Sequence, residues 1–143
     1  MGVAALLLQV VGYGYKQIEI HHSNQFLIRT LTTNSGDSDI AISTDSQTLV
    51  SGSRDGNIKI WNLSTGTLKN SLTTGFDEIR SIVISPDGQS LVISSSKNDM
   101  VKIWDLNTAT LKSTLRARWA NNIVITPDSQ ILILPLLQPL IIV

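Results

Sequence analysis

"NIKIWNLSTGTLKNSL" at residues 57–72 returns as "MVKIWDLNTATLKSTL" at residues 100–115, 43 positions further on. Trp61 and Trp104 fall in register, as do Leu72 and Leu115. Upstream, "STDSQTLV" (43–50) is answered by "SPDGQSLV" (85–92) at an offset of 42, and by "TPDSQIL" from Thr126 after a further 41. A fixed period in the low forties marks stacked units, each of which buries its apolar faces only against a neighbour. With one deletion the N-terminal part joins the series: "VGYGYKQIEIHH" (11–22) sets against "SGSRDGNIKIWN" (51–62), and His21 falls where later units carry tryptophan.

Turn chemistry cuts each unit into four short strands. "IRSIVIS" (79–85) is rich in β-branched residues and ends at Ser85-Pro86-Asp87-Gly88, where proline presets φ and glycine accepts a positive φ. "SLVIS" follows, then a hairpin. In the preceding unit that hairpin is Arg54-Asp55-Gly56-Asn57, whose Asp-Gly pair predicts a type I′ turn. "IKIW" and "VKIW" are third strands, and "TLKNSL" and "TLKSTL" are fourth strands, the first of them entered through Ser64-Thr65-Gly66. Four strands in about 42 residues make a β-propeller blade. Stretches such as "SIVIS" and "ILIL" are near-continuous in aliphatics, as sheets covered on both faces require.

On the period, the turn residues and the tryptophan position, the chain resembles the WD40-repeat family over roughly residues 11–133, with the signature pair intact at Trp104-Asp105 and altered at Trp61-Asn62. The resemblance implies an all-β fold, a partial propeller of four-stranded antiparallel blades whose first strands line a central channel. The expected division is a partial blade at 1–33, blades at 34–74 and 75–116, the start of another at 117–133, and an apolar tail at 134–143 outside the repeat register. The family's Gly-His pair is missing: the matching places hold Gly75-Phe76, "NSGDSD" (34–39) and Arg118-Trp119. Asp55, Ser51 or Ser53, and Trp61 are expected to keep part of the family's buried polar set, and Trp104 and Asp105 are expected as structural blade residues of the next unit. Phe76 is expected to replace its polar anchor by apolar packing.

About 13 strands make little more than three blades, whereas propellers close with four to eight. An uncovered terminal blade would show on the order of 330 Å² of sheet, and two such faces exceed the ~300–600 Å² of the largest apolar patch on a typical monomer. Three completions follow: further blades from a longer chain, of which this is a fragment; a homodimer that pairs strand edges; or a cap formed by the tail. The first is the expectation.

The bulk composition narrows the function. With 42% hydrophobic and 15% charged residues the chain is globular, not disordered. A formal net charge of zero without a basic run argues against nucleic acid and membrane surfaces as partners. The absence of cysteine removes disulfides and thiol chemistry. "MGVAALLLQVV" (1–11) lacks the basic flank of a signal peptide and reads as a strand, and a cytoplasmic location is expected. "ILILPLLQPLIIV" (131–143) has 13 residues where a spanning helix needs ~20, and Pro135 and Pro139 interrupt it.

No catalytic constellation emerges. His21 and His22 are neighbours in a strand and point to opposite faces, so they cannot share a metal. No G-x-S-x-G elbow exists, Gly12-Tyr13-Gly14 lacks the rest of a dinucleotide loop, and the Asn62-Leu63-Ser64 sequon and the Asp37/Asp39 pair are weak matches. Asp45, Asp55, Asp87 and Asp128 recur with the period, as turn formation requires and an asymmetric active site does not. The expectation is therefore a non-catalytic scaffold without cofactor or metal, which binds protein or peptide through the non-repeating side chains Arg54, Arg80, Lys97, Arg118 and Trp119. A degenerate remnant without activity and a propeller-based enzyme are the alternatives.

Overall fold

The computed structural model describes residues 5–10, 16–22, 25–32, 36–95, 97–118, 120, 122–130 and 132–133. Trp119 and the tail 134–143 lie outside the described residues. The chain divides into two compact units, Met1–Asp37 and Ser38–Val143.

The first unit holds β1 (Ala5–Val10), β2 (Lys16–His22) and β3 (Gln25–Thr32) in one antiparallel sheet, in that order. Ala5 pairs with His21 and Gln17 with Thr32, and the register slips between Ile20 and His22.

The second unit contains two four-stranded antiparallel sheets, each in simple chain order. One comprises β4 (Asp37–Ile42), β5 (Thr48–Ser53), β6 (Asn57–Asn62) and β7 (Leu68–Thr73). The other comprises β8 (Ser81–Ile84), β9 (Ser90–Ser95), β10 (Met100–Asp105) and β11 (Thr110–Arg116). A two-stranded pair follows, β12 (Val124–Ile125) with β13 (Leu132–Ile133). The described residues are thus all-β, in propeller-like blades, and the sheets of this unit do not close into a ring.

The repeat is a repeat in three dimensions. Trp61 faces Leu49 across β5 and β6, and Trp104 faces Leu91 across β9 and β10. Each tryptophan also sits at a β-bulge against the outer strand, at Ile60/Trp61 and at Ile103/Trp104. Such a bulge adds local twist, so its recurrence gives both blades the same coil.

Burial follows the aliphatic runs. β5 and β9 are buried on both faces for five consecutive residues, whereas the outer strands β7 and β11 are almost wholly exposed. Val50, Ile58, Ile60 and Leu72 of the first blade meet Ile79, Ile82, Leu91 and Ile93 of the second in one cluster. The opposite face of the second blade contributes Val92 and Val101 to a cluster with Ala117, Ala120 and Ile123. A fully buried Leu or Ile contributes about 1.5–3 kcal/mol, so these seams, rather than the sheets separately, hold the unit together.

Three equivalent turns join first to second strands. In each, a hydroxyl and an aspartate fold the backbone: Ser43 Oγ donates to Asp45 Oδ1, Ser85 Oγ to Asp87 Oδ1 and Thr126 Oγ1 to Asp128 Oδ1, while the same Oδ1 accepts from the backbone N–H of Gln47 (2.9 Å), Gln89 (3.0 Å) and Gln130 (3.1 Å). The next residue after each aspartate, Ser46, Gly88 or Ser129, has φ of 58°, 73° or 60°. The turns also hold each other: Thr44 Oγ1 donates to the Pro86 carbonyl at 2.7 Å, and the Asp87 N–H donates to Ser129 Oγ at 3.0 Å.

The 53–57 hairpin differs from the type I′ expectation. Gly56 has φ 80°, its N–H donates to the Ser53 carbonyl at 3.1 Å, and Asp55 is not among the residues of positive φ. The loop is a type I turn closed by glycine in the left-handed region, the three-residue alternative to I′.

Candidate partner-binding rim

Alternate connections of an up-and-down sheet lie at opposite ends, so each blade has a turn end and a linker end. At the turn end lie the aspartate turns and the third-to-fourth strand turns. At the linker end lie the hairpins 53–57 and 95–100 and the linkers 74–80 and 117–123. The two blades point the same way: Thr44 bonds Pro86 at one end, and at the other the Asp77 N–H donates to Asn98 Oδ1 at 3.2 Å.

This topology brings Arg54, Arg80, Lys97 and Arg118 together at the linker end, all exposed. Lys97 pairs with Glu78 at 3.4 Å, and Arg118 Nε approaches Asp99 Oδ2 at 3.7 Å. Exposed pairs of this kind contribute about 0–1 kcal/mol and hold neither side chain firmly. Trp119 lies outside the described residues.

The linker end is anchored from below. Thr74 donates to the Gly56 carbonyl through its N–H (3.0 Å) and through Oγ1 (2.8 Å), and Oγ1 accepts from the Phe76 N–H (3.1 Å). Phe76, in the place of the family's histidine, is buried in the inter-blade cluster with the Lys102 ammonium 4.8 Å from its ring centre. Lys102 Nζ also donates to the Thr74 carbonyl. Apolar packing plus a cation over the ring occupies the position of the polar anchor.

The remaining blade residues are distributed unevenly. Trp61 Nε1 donates to buried Ser51 Oγ at 3.4 Å. Ser53 is buried. Asp55 is exposed, its Oδ1 accepting from the Asn57 N–H at 3.1 Å; against some desolvation, that N–H and the Ser53 hydroxyl lower its pKa. Without a histidine to hold it, the carboxylate serves its own turn. In the second blade Ile93 occupies the place of Ser51, and Trp104 Nε1 is buried with no partner. Such an orphaned donor costs roughly 1–3 kcal/mol.

Asp105 and Asn62 do one job in two forms. Asp105 Oδ1 accepts from the N–H groups of Asn107 and Thr108, both at 3.0 Å, and Asn62 Oδ1 accepts from the Thr65 N–H at 3.0 Å and from Ser64 Oγ at 2.7 Å. The altered signature pair therefore keeps its turn.

The turn end carries Asp45, Asp87, Asp105 and Asp128 with Lys69 and Lys112 beside them. The Ser43, Ser85 and Thr126 hydroxyls lower the pKa of Asp45, Asp87 and Asp128, each with help from a backbone N–H. The Thr108 N–H, then Lys112, push Asp105 down to about 2. Asp39 goes the other way: partial burial raises it, although the Ile82 N–H donates to its Oδ2 at 2.6 Å. The sign follows from linkage. The four turn aspartates give stability that is present above the ordinary carboxylate range and lost as pH falls through their lower folded values, while Asp39 becomes less costly on protonation. Urea midpoints are expected to hold from pH 7 to about 5 and to fall steeply below about 4. Asp105→Asn, which copies Asn62, is expected to make that fall shallower.

Among the described residues no three His, Cys, Asp or Glu side chains stand close enough to hold a metal ion. Sequence reasoning missed Asn98, Asp99, Met100 and Arg116, which with Arg118 surround a cavity of about 260 Å³ at the linker end. The signal was the spacing Arg116-Ala117-Arg118, two guanidiniums flanking a buried alanine where β11 ends.

Comparison with known proteins agrees with this geometry. The family model described as "WD domain, G-beta repeat" matches residues 21–62 and 66–105. No curated protein matches the chain closely enough to count as a relative. Among solved structures, Kuenenia stuttgartiensis hydrazine synthase superposes with a TM-score of 0.66 at 18% identity. The superposition covers 71% of this chain and only 29% of that one. At that identity the likeness shows the fold alone.

Proposed function

The chain belongs to the WD40-repeat family, and from that premise we propose that it is a non-catalytic scaffold that binds a protein or peptide segment across the linker end of its blades. WD40 domains generally mediate protein–protein interaction. The finer reading rests on one observation: Arg54, Arg80, Lys97 and Arg118 are exposed at the same end, Arg54 and Lys97 on equivalent hairpins, while the turn end spends its aspartates on its own backbone. Loops on a rigid scaffold vary where binding is selected, and exposed arginines are enriched at interfaces.

Peptide display on the purified protein tests this. The triple variant Arg54→Ala/Arg80→Ala/Lys97→Ala is expected to weaken selected peptides at least tenfold, about 1.4 kcal/mol. Lys69→Ala/Lys112→Ala, at the turn end, is expected to leave them unchanged. Equal loss in both variants, or loss only in the second, would place binding elsewhere.

A further inference from the structure

The cavity beside β11 has a chemistry of its own. Among the described residues it is lined by Asn98, Asp99, Met100, Arg116 and Arg118, and its volume of about 260 Å³ falls below the range of drug-sized pockets. It is ample for one side chain.

Three features make it a receiver of negative charge. Arg116 and Arg118 supply two guanidiniums against the single carboxylate of Asp99. The Asp99 contact is made through Arg118 Nε at 3.7 Å, beyond hydrogen-bond range, and Arg118 is 82% exposed, so the pair is loose and readily exchanged. Asn98 is fixed by its oxygen, which accepts from the Asp77 N–H at 3.2 Å and from Ser95 Oγ at 2.8 Å. With that oxygen spent, Asn98 has its NH2 group left to donate. Planar guanidiniums and an amide NH2 suit an oxyanion, which guanidinium binds bidentately, and Met100 gives an apolar wall for the methylenes that carry it.

The geometry points to this cavity as the specificity pocket of the rim, taking an acidic side chain, carboxylate or phosphate, from the bound segment. The assignment rests on the rim reading and adds the chemistry of the segment. In the free protein Asp99 stands loosely against Arg118 alone, and the incoming oxyanion takes its place.

The test measures fluorescence anisotropy of labelled pentapeptides with central Glu, phosphoserine or Gln on the intact chain, with inorganic phosphate as competitor. The acidic peptides are expected to bind at least tenfold more tightly than the Gln peptide. Arg116→Gln and Arg118→Gln are expected to abolish that preference while Lys69→Gln, at the turn end, leaves it intact. Asp99→Asn is the sharper variant, because Asp99 sits at φ 50°, a conformation that asparagine tolerates. Removing the resident carboxylate is expected to tighten the acidic peptides several-fold, which loss of structure could not do. Equal binding of Glu and Gln peptides, or no gain in Asp99→Asn, overturns the pocket while the triple variant still decides the rim. Inorganic phosphate that competes at its own concentration as well as the phosphopeptide does would assign the site to a free anion and overturn the side-chain assignment.

Discussion

Gly56→Ala is expected to lose about 3–5 kcal/mol of stability, which is much of the total for a small domain. Two costs coincide at this position. Its φ of 80° already charges an L side chain about 1–2 kcal/mol. The added Cβ would also stand 2.0 Å from the Phe76 carbonyl oxygen and 3.1 Å from its carbon. Those are backbone atoms of the linker, so the clash cannot be relieved by a rotamer. Hairpin and linker must separate, and both Thr74 bonds to the Gly56 carbonyl are stretched with them, at roughly 1 kcal/mol each. Gly88→Ala separates the two costs: φ is 73° and nothing lies within 4 Å of the new Cβ. That variant is expected to lose only about 1–2 kcal/mol. Gly88→Ser should lose less still, because Ser46 and Ser129 hold the same place in the sister turns. Urea unfolding of the three variants with unchanged m-values checks the ranking. A loss below 1 kcal/mol for Gly56→Ala would mean that hairpin and linker are not clamped.

The same clamp shows where sequence reasoning reaches and where it stops. The strands, the aspartate turns and the matched tryptophans were legible because each is a local preference repeated at a fixed period. Ser-x-Asp-x-Gln folds its own backbone wherever it occurs. The polar set around the tryptophans was less legible, since it depends on single residues that the repeat does not preserve. Ile93 in place of Ser51's counterpart leaves Trp104 Nε1 unpaired, and nothing within "VKIWD" announces it. Asp55 closes its own turn, because a carboxylate two residues from an N–H does so more cheaply than it enters a core without a donor. At the rim, Arg54, Arg80, Lys97 and Arg118 stood out as cations in connections between strands, and strand alternation alone places them at one end. The cavity did not stand out: Asn98 acquires its orientation from Asp77, 21 residues away, through a contact made where the linker enters the second blade beside its hairpin.

Stacking is also what Gly52→Val addresses, with an expected loss of about 2–3 kcal/mol. Gly52 lies in β5 opposite Ile58, and a Cβ there would come within 2.4 Å of Ile82 Cδ1, 3.1 Å of Ile79 Cγ2 and 3.2 Å of Ile58 Cδ1. Two of those three atoms belong to the next blade. Ile82 Cδ1 ends a side chain that can turn aside, whereas Ile79 Cγ2 is fixed to a β-branched carbon and cannot. Alanine should therefore be tolerated better than valine, whose two methyls meet both neighbours. Ile82→Ala alone is expected to cost about 2–5 kcal/mol through the cavity it leaves. In the double variant the valine fills part of that cavity. The two losses should then fall short of their sum by at least 1 kcal/mol, a coupling that only residues in contact show. Additive losses would mean that the two sheets do not share this seam, and that each blade is stable without its neighbour.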